Sequence, residues 1–364
     1  DLVADGPHLL IEGPPGSGRT ELLRSVAASL AAAERPDRLG IALVDGRDGA
    51  GQGRHPGDGL GACTDLPHVG THLAANDPVR MREFAQSLSA ELKRRAELVV
   101  RLDFAEWHTS RAVSGRLVGP RTAAGRGTGV GTGTGPSRRP GAADLDASPT
   151  ATIRLRPAAG RERPDPGPPL ARLVLIVDDL DALLSPPLGS PGRPAAGSVV
   201  RALEAVAREG ARLGVHLVAA TAGGARTAET DLARAATLHV TLEAPAPGPD
   251  EPAAGRGRLT TTDAPPPGTG TTSAPATSPS IDHASDPPTA RTTPFQAGRV
   301  TGRIPRTATL RPTVVPLEWA RMGDPPARRP VRELGNGPTD LALLASALDR
   351  AARSVAAKEV PSLL

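Results

Sequence analysis

Residues 13–20 of the sequence are Gly13-Pro14-Pro15-Gly16-Ser17-Gly18-Arg19-Thr20. This stretch has the spacing of the pattern G-x-x-x-x-G-K-[ST], in which a glycine-rich loop binds the phosphates of a nucleotide. The glycines let the backbone curl so that successive N–H groups face an anion, and the helix that follows presents its positive end to that anion. We therefore predict that residues 13–20 bind a nucleotide. The alternative is a Gly-Pro loop that only connects a strand to a helix.

The sequence around this loop indicates an α/β fold. Residues 8–11 form a short apolar run that is typical of a strand, and residues 21–33 form an Ala/Leu-rich helix. Further strands are predicted at 41–44, 173–177, 215–219 and 238–242, and further helices at 78–95, 199–213 and 341–357. Because strands alternate with helices, we expect a doubly wound, mainly parallel sheet.

A second nucleotide motif follows the predicted strand at 173–177. Asp178 and Asp179 come directly after this apolar run, where the first acid would hold Mg²⁺ through water and the second would orient the attacking water. Thr20 would place its hydroxyl on the same Mg²⁺. The sequence thus predicts ATP and Mg²⁺ as cofactors, Thr20 and Asp178 as metal ligands and Asp179 as the catalytic residue. The alternative is that the two acids only cap the end of the strand.

Two positions depart from the usual chemistry of these motifs. Arg19 stands where lysine is expected, and the planar guanidinium of arginine does not substitute freely for a compact ammonium. Asp179 stands where glutamate is usual and is one methylene shorter. We expect nucleotide binding to survive these changes better than turnover does.

Glycine and proline, 41 and 40 residues, are concentrated in two stretches without hydrophobic periodicity. Their composition is typical of flexible linkers. We therefore expect two disordered insertions and divide the chain into a P-loop half (1–113), a flexible basic insertion (114–169), a Walker B half (170–244), a disordered Pro/Thr/Ser linker (245–293), a closing β segment (294–336), and a C-terminal helix leading to a following domain (337–364).

Positive charge is concentrated in the first insertion. Residues 111–172 contain eleven arginines and four acids, whereas the whole chain has a net charge of +4. Of the 43 basic residues only Lys93 and Lys358 are lysine, so arginine is favoured by overall composition and not by function alone. We expect any DNA binding to depend on this insertion and to weaken steeply with salt.

The remaining candidate residues favour structural roles. His68 and His72 have helical metal-ligand spacing, but Pro67 and Gly70 argue against a helix there. The single cysteine, Cys63, is expected to be a small buried side chain in a reducing compartment. Trp107 and Trp319 are expected to pack in the core. No apolar run approaches the roughly 20 residues of a membrane span. We expect a cytoplasmic domain of a longer protein; any membrane anchor would lie in another part of that protein.

Several segments together resemble the FtsK/SpoIIIE ATPases, and within them the motor domains of type VII secretion ATPases. The resemblance covers most of the ordered chain and neither insertion. It is carried by residues 7–20 with the phosphate loop, 43–49 with a "D-x-K-G-G"-like turn, 66–69, 173–183, 207–217 and the "RFQ"-like strand at 295–300.

This resemblance implies a RecA-like P-loop NTPase fold and a place among tandem motor domains. In that family such domains form hexameric rings on a membrane-anchored protein and move DNA or secreted protein. The departures at Arg19, Asp179 and Ala222, where the family has Gln, imply a degenerate module that hydrolyses ATP slowly or regulates its neighbours. The alternatives are a competent translocating ATPase, a substrate-docking scaffold that has lost nucleotide, and an AAA-type ATPase, which residues 43–49 and 295–300 disfavour.

Overall fold

The computed structural model describes residues 2–47, 59–116, 170–185, 194–246, 248, 252–262, 291–303, 306–307, 319–323, 333–334, 337–358 and 360–364. The chain divides into two compact units, residues 1–107 with 170–364, and residues 108–169. The second unit contributes only the end of one helix, Phe104–Arg116, to the described residues. Most of the expected insertion at 114–169 lies outside the described residues, as do residues 263–290 of the expected linker.

A mainly parallel sheet of eight strands forms the centre of the first unit. The strands are β1 His8–Glu12, β2 Leu39–Asp45, β3 Val69–Ala74, β4 Arg172–Asp178, β5 Val215–Thr221, β6 Leu238–Leu242, β7 Arg256–Thr261 and β8 Arg291–Gln296. They lie in the order β3-β2-β4-β5-β1-β6-β7-β8. All neighbours from β3 to β6 pair in parallel, and β7 pairs antiparallel with both β6 and β8. A separate antiparallel pair joins β9 Arg306–Thr307 to β10 Glu333–Leu334.

Helices cover both faces of this sheet, as the sequence predicted. They are α1 Arg19–Ala33, α2 Pro78–Val99, α3 Phe104–Arg116, α4 Leu180–Leu184, α5 Pro194–Leu213, α6 Ala225–Ala228, α7 Asp231–Ala235 and α8 Asp340–Ser354, with 3₁₀ helices at Gly59–Cys63 and Trp319–Arg321. Leu23 of α1 and Leu341 of α8 pack in one core cluster, whereas Phe84 of α2 and Val199 of α5 pack in the other.

The apolar side chains of β4 explain why helices cover both faces of the sheet. Successive side chains of a strand point to opposite faces. Val174 and Ile176 accordingly join the cluster under α1, and Leu175 and Val177 join the cluster under α2 and α5. A continuous apolar strand of this kind is expected where both faces of a parallel sheet are buried.

The expectation of disorder at 245–293 is wrong for β7. Residues 256–261 have one apolar side chain, Leu259. They lie between β6 and β8, so that their backbone groups form ladders on both sides. Gly257 suits this position because a Cβ there would lie 2.6 Å from the carbonyl oxygen of Thr241. Strand pairing therefore orders a segment whose composition alone predicted a linker.

Four further expectations can be compared with the structure. Trp107 is buried, as predicted, and Cys63 is buried too, which raises its pKa to about 12. Trp319 is 84% exposed, so its predicted core role is wrong. α3 continues to Arg116, and the expected boundary at 113–114 therefore falls inside a helix.

The C-terminal segment packs back onto the sheet and α1. Leu341 and Ala345 of α8 are buried in the cluster that contains α1. Beyond α8, Val360 lies against Gly40, where a Cβ would come within 2.9 Å of its Cγ1 atom. Leu363 donates its backbone N–H to Thr71 Oγ1 at 2.8 Å. Among the described residues, no helix has the length and apolar character needed to cross a membrane.

Buried polar side chains line the edge of the sheet where the parallel strands begin. Arg95 is 2% exposed, donates to the carbonyl oxygen of Ala171 at 2.7 Å and pairs with Glu91 at 2.7 Å. His8 accepts a hydrogen bond from Leu217 N at 3.0 Å. Burial, together with the nearby His216, lowers the pKa of His8 to about 4. His8 is therefore neutral in the folded protein near neutral pH.

We predict that His8 makes stability depend on pH between about 6.5 and 4. In this range the unfolded chain takes up a proton that folded His8 does not, so the free energy of unfolding falls as the pH is lowered. The shift from 6.5 to about 4 corresponds to on the order of 3 kcal/mol. His8→Asn keeps an acceptor for Leu217 N but does not titrate. Chemical denaturation at several pH values should show a smaller loss for this variant.

The half-buried His239, on β6, provides a matched control, and His239→Asn should retain the pH dependence of the wild type. A His8→Asn variant that loses as much stability as the wild type between pH 7 and pH 4 would contradict this assignment.

Candidate nucleotide-binding site

The loop at residues 13–20 joins β1 to α1 at the carboxyl edge of the parallel sheet. Gly16 and Gly18 have φ values of 81° and 96°, in the left-handed region that favours glycine. Ser17 N donates to the carbonyl oxygen of Pro14 at 3.2 Å, and α1 begins at Arg19. This curled loop before a helix N-terminus is the geometry that the sequence predicted.

A neighbouring connection supports the loop from outside. Gly255 N, just before β7, donates to the carbonyl oxygen of Ser17 at 2.7 Å. A Cβ on Gly18 would lie 3.0 Å from Gly255 N, so a larger residue at position 18 would collide with this connection. Gln296 and Ala297, at the end of β8, donate to the carbonyl oxygens of Ala254 and Gly255 at 2.9 and 2.8 Å. Sequence analysis missed these contacts because residues 254 and 255 were assigned to a linker.

Thr20 and Asp178 lie together. Thr20 Oγ1 donates to Asp178 Oδ2 at 2.6 Å, and Asp178 Oδ1 accepts from Asp179 N at 3.0 Å. A hydroxyl and a carboxylate are the oxygen ligands that Mg²⁺ takes in nucleotide sites, where substrate phosphates and water complete its coordination. Within the described ranges, no group of three or more His, Cys, Asp or Glu side chains forms a metal site. The donor set fits a nucleotide-bound Mg²⁺, and its assignment remains a prediction.

Burial of Asp178 perturbs its ionisation. The side chain is almost fully buried at the end of β4. Desolvation, followed by the negative charges of Asp179 and Asp45, raises the pKa of Asp178 to about 6, against the opposing effect of the hydrogen bond from Thr20. Without a bound cation, the charged form of Asp178 is thus costly to the fold.

Arg19 is directed back toward its own loop and toward Asp179. Its Nη1 donates to the carbonyl oxygen of Gly13, and its Nη2 lies 3.1 Å from Asp179 Oδ1. Arg47, just beyond β2, places Nε 3.0 Å from Asp179 Oδ2. The two carboxylate oxygens of Asp179 are therefore each ion-paired to a guanidinium. Sequence analysis assigned no role to Arg47. The signal that could have found it is its position two residues after the end of β2, at the same edge of the sheet as Asp179.

The other predicted features lie apart from one another. His72 Nε2 lies 2.9 Å from Asp45 Oδ2, whereas His68 Nε2 contacts the carbonyl oxygen of Glu34 at 2.7 Å. The two histidines thus have separate partners. Ala222, where the resemblance implies glutamine, donates its backbone N–H to Asp181 Oδ1 at 3.1 Å.

Comparison with known proteins finds similar sequences and a similar fold. Residues 1–119 match the sequence model of the FtsK/SpoIIIE family. This part of the chain is therefore similar to that family. A relative among curated proteins is the ESX-4 secretion system protein EccC4 of Mycobacterium tuberculosis, which is 36% identical over 100 residues. Those residues make up 26% of this chain and 7% of that protein.

A solved structure is similar in fold over most of this chain. The cytoplasmic domain of the type VII secretion ATPase EccC from Thermomonospora curvata has a TM-score of 0.50 and 18% identity to this chain. The alignment covers 94% of this chain and 28% of that one. At this identity the comparison shows a shared fold alone, and this chain spans less than a third of the length of that one.

We predict that Asp178→Asn stabilises the protein when nucleotide and metal are absent. Because the folded-state pKa is raised from 3.8 to about 6, the protonated form is favoured in the fold, and this stability is lost as the pH rises through about 6. The asparagine stays uncharged and keeps an acceptor for Thr20. Denaturation at pH 7.5 should show a gain on the order of 2–3 kcal/mol.

Asp65→Asn, at an exposed position, is the control and should leave stability within about 0.5 kcal/mol of the wild type. The Asp178 assignment would be wrong if Asp178→Asn were as stable as the wild type at pH 7.5.

Proposed function

We propose that the chain is an ATP-binding module of the FtsK/SpoIIIE motor type that acts within a larger translocase. The observation that carries the proposal is the hydrogen bond of 2.6 Å between Thr20 and Asp178, beside a curled glycine loop at a helix N-terminus. These are the two protein groups that a Mg²⁺-bound triphosphate requires at such a site.

Each predicted site residue has a distinct role in this proposal. The backbone N–H groups of residues 13–20 bind the phosphates, with the guanidinium of Arg19 as a further donor. Thr20 and Asp178 hold Mg²⁺, which neutralises charge on the phosphates when bound. Asp179 orients the attacking water if hydrolysis occurs.

Slow hydrolysis is the expected consequence of the contacts of Asp179. Arg19 and Arg47 each pair with one oxygen of Asp179, so these ion pairs must be broken before the carboxylate is fully available to orient water. This favours a weakly hydrolytic or regulatory module over a competent translocating ATPase. The same contacts also support the alternative function, a docking scaffold that binds its substrate without nucleotide.

The wider assembly is proposed from the resemblance to secretion ATPases. We propose that tandem motor domains of a longer protein flank this chain and assemble as a hexameric ring on the cytoplasmic side of a membrane. The match to a secretion system protein supports a secreted protein as the cargo. The basic residues between 111 and 172 support DNA as an alternative cargo.

We predict that Mg²⁺·ATP binds to the purified chain and that Thr20→Ala weakens this binding. Removal of the hydroxyl takes one oxygen ligand from Mg²⁺, so the loss should be about tenfold or more. Isothermal titration calorimetry measures the affinity. Ligand stabilisation provides a second readout, because ATP at 100 times its dissociation constant should add about 2.7 kcal/mol to the free energy of unfolding.

Thr64→Ala serves as the matched control, since Thr64 is exposed and bonds only locally to the carbonyl oxygen of Gly61. Wild-type protein with neither heat of binding nor stabilisation at millimolar Mg²⁺·ATP would contradict the proposal and favour the nucleotide-independent scaffold.

We further predict that restoring the usual residues raises ATP turnover. Arg19→Lys removes the planar group that contacts Asp179, and Asp179→Glu moves the acid outward by one methylene. The double variant should hydrolyse ATP about tenfold faster than the wild type or more, as expected when charge is correctly placed for the transition state. Phosphate release under saturating ATP is the measurement, with Arg35→Lys as an exposed control. Equal rates for wild type and double variant would contradict this prediction. Equal fast rates would support a competent enzyme, and equal negligible rates would mean that these two residues do not account for the lack of turnover.

A further inference from the structure

Asp179 is an internal anion at the phosphate site. Its side chain is 15% exposed, and it lies between the nearly buried guanidinium of Arg19 and the exposed one of Arg47. The two contacts are 3.1 and 3.0 Å long and use different carboxylate oxygens. One negative group thus holds two positive groups, one from the loop at residues 13–20 and one from the turn after β2.

The two arginines differ in how firmly they are held. Arg19 is also bound to the carbonyl oxygen of Gly13, which fixes its guanidinium in the loop. Arg47 has 58% of its side chain exposed and contacts Asp179 through Nε. Its guanidinium is therefore able to change partners without loss of buried packing.

Guanidinium groups bind carboxylates and phosphates by the same geometry. Both ligands present paired anionic oxygens to the N–H groups of arginine, and phosphate carries the greater charge. A nucleotide on the loop would bring its terminal phosphate toward the guanidinium of Arg19, where the carboxylate of Asp179 now lies. Carboxylate and phosphate would repel each other at this position.

We propose that Arg47 is a phosphate-binding residue and that Asp179 is its internal competitor. Without nucleotide, Asp179 holds Arg19 and Arg47; with ATP bound, the two arginines exchange Asp179 for the terminal phosphate. This inference rests on the proposed ATP binding and adds to it a residue that distinguishes ATP from ADP. ADP lacks the terminal phosphate, so its affinity gains little from the exchange.

The test measures equilibrium dissociation constants for Mg²⁺·ATP and Mg²⁺·ADP by calorimetry, so that turnover is not the readout. Asp179→Asn removes the competing charge, and its affinity for ATP should rise about tenfold, the equivalent of one charge-assisted contact. Arg47→Gln removes a phosphate ligand, and its affinity for ATP should fall by about the same factor. Affinity for ADP should change less than about twofold in both variants.

A second Arg–Asp pair supplies matched controls. Arg35 and Asp37 form an ion pair of 2.8 Å on the connection that precedes β2, at the opposite edge of the sheet from Arg47. Arg35→Gln and Asp37→Asn should leave both affinities unchanged. Arg47→Lys keeps the charge and should recover part of the ATP affinity, which separates phosphate binding from a merely structural effect. Thermal unfolding without nucleotide confirms that every variant is folded.

The outcomes separate this inference from the proposed function. If the wild type binds ATP in a Thr20-dependent manner but Asp179→Asn and Arg47→Gln bind it equally well, the exchange is wrong and ATP binding stands. If the wild type binds no ATP and Asp179→Asn does, the competitor role is supported. If neither binds ATP, both the inference and the proposed function are wrong.

Discussion

The parallel pairing of the central strands determines where the side chains at the strand ends lie. β2 and β4 pair so that Asp45 is in register with Asp178, and β5 pairs with both β4 and β1. The carboxyl ends of all four strands therefore lie along one edge. The loop at residues 13–20 leaves β1 at that edge, and α1 returns over the sheet with Thr20 beside Asp178. The candidate site depends on this register, because a slip of one residue would turn each strand-end side chain to the other face.

Bringing several acids to one edge has an electrostatic cost, and the structure offsets it differently for each carboxylate. Asp45 contacts His72 and accepts a hydrogen bond from Leu60 N. Asp179 has two guanidinium partners. In the part of the chain that the structure describes, Asp178 has hydrogen-bond donors but no cationic side chain against it, and it is the acid whose pKa is raised to about 6. A bound Mg²⁺ would supply the positive charge that Asp178 lacks, which is the physical reason to assign the metal to this acid.

The sequence predicted the parts of the fold that have strong local signals. The apolar runs of β1, β4, β5 and β6 and the glycine loop are continuous in sequence, so composition and periodicity suffice. β7 was not predicted because Arg256–Thr261 has only one apolar side chain and is ordered by pairing with strands that precede and follow it in the chain. The Thr20–Asp178 contact followed from motif spacing. The role of Arg47 could not be predicted in this way, because an ion pair between residues 47 and 179 depends on the packing of two strand ends.

The two departures from the usual motifs meet in one contact. Arginine at position 19 is longer than lysine, aspartate at position 179 is shorter than glutamate, and the guanidinium spans from the carbonyl oxygen of Gly13 to the shorter acid. A lysine ammonium lacks the planar fork that makes these two contacts in different directions. The substitutions are thus complementary in length and charge, and should be treated as a single change to the site. In the exchange proposed above, their shared effect is to stabilise the nucleotide-free arrangement, so that a triphosphate would compete with Asp179 for the two arginines.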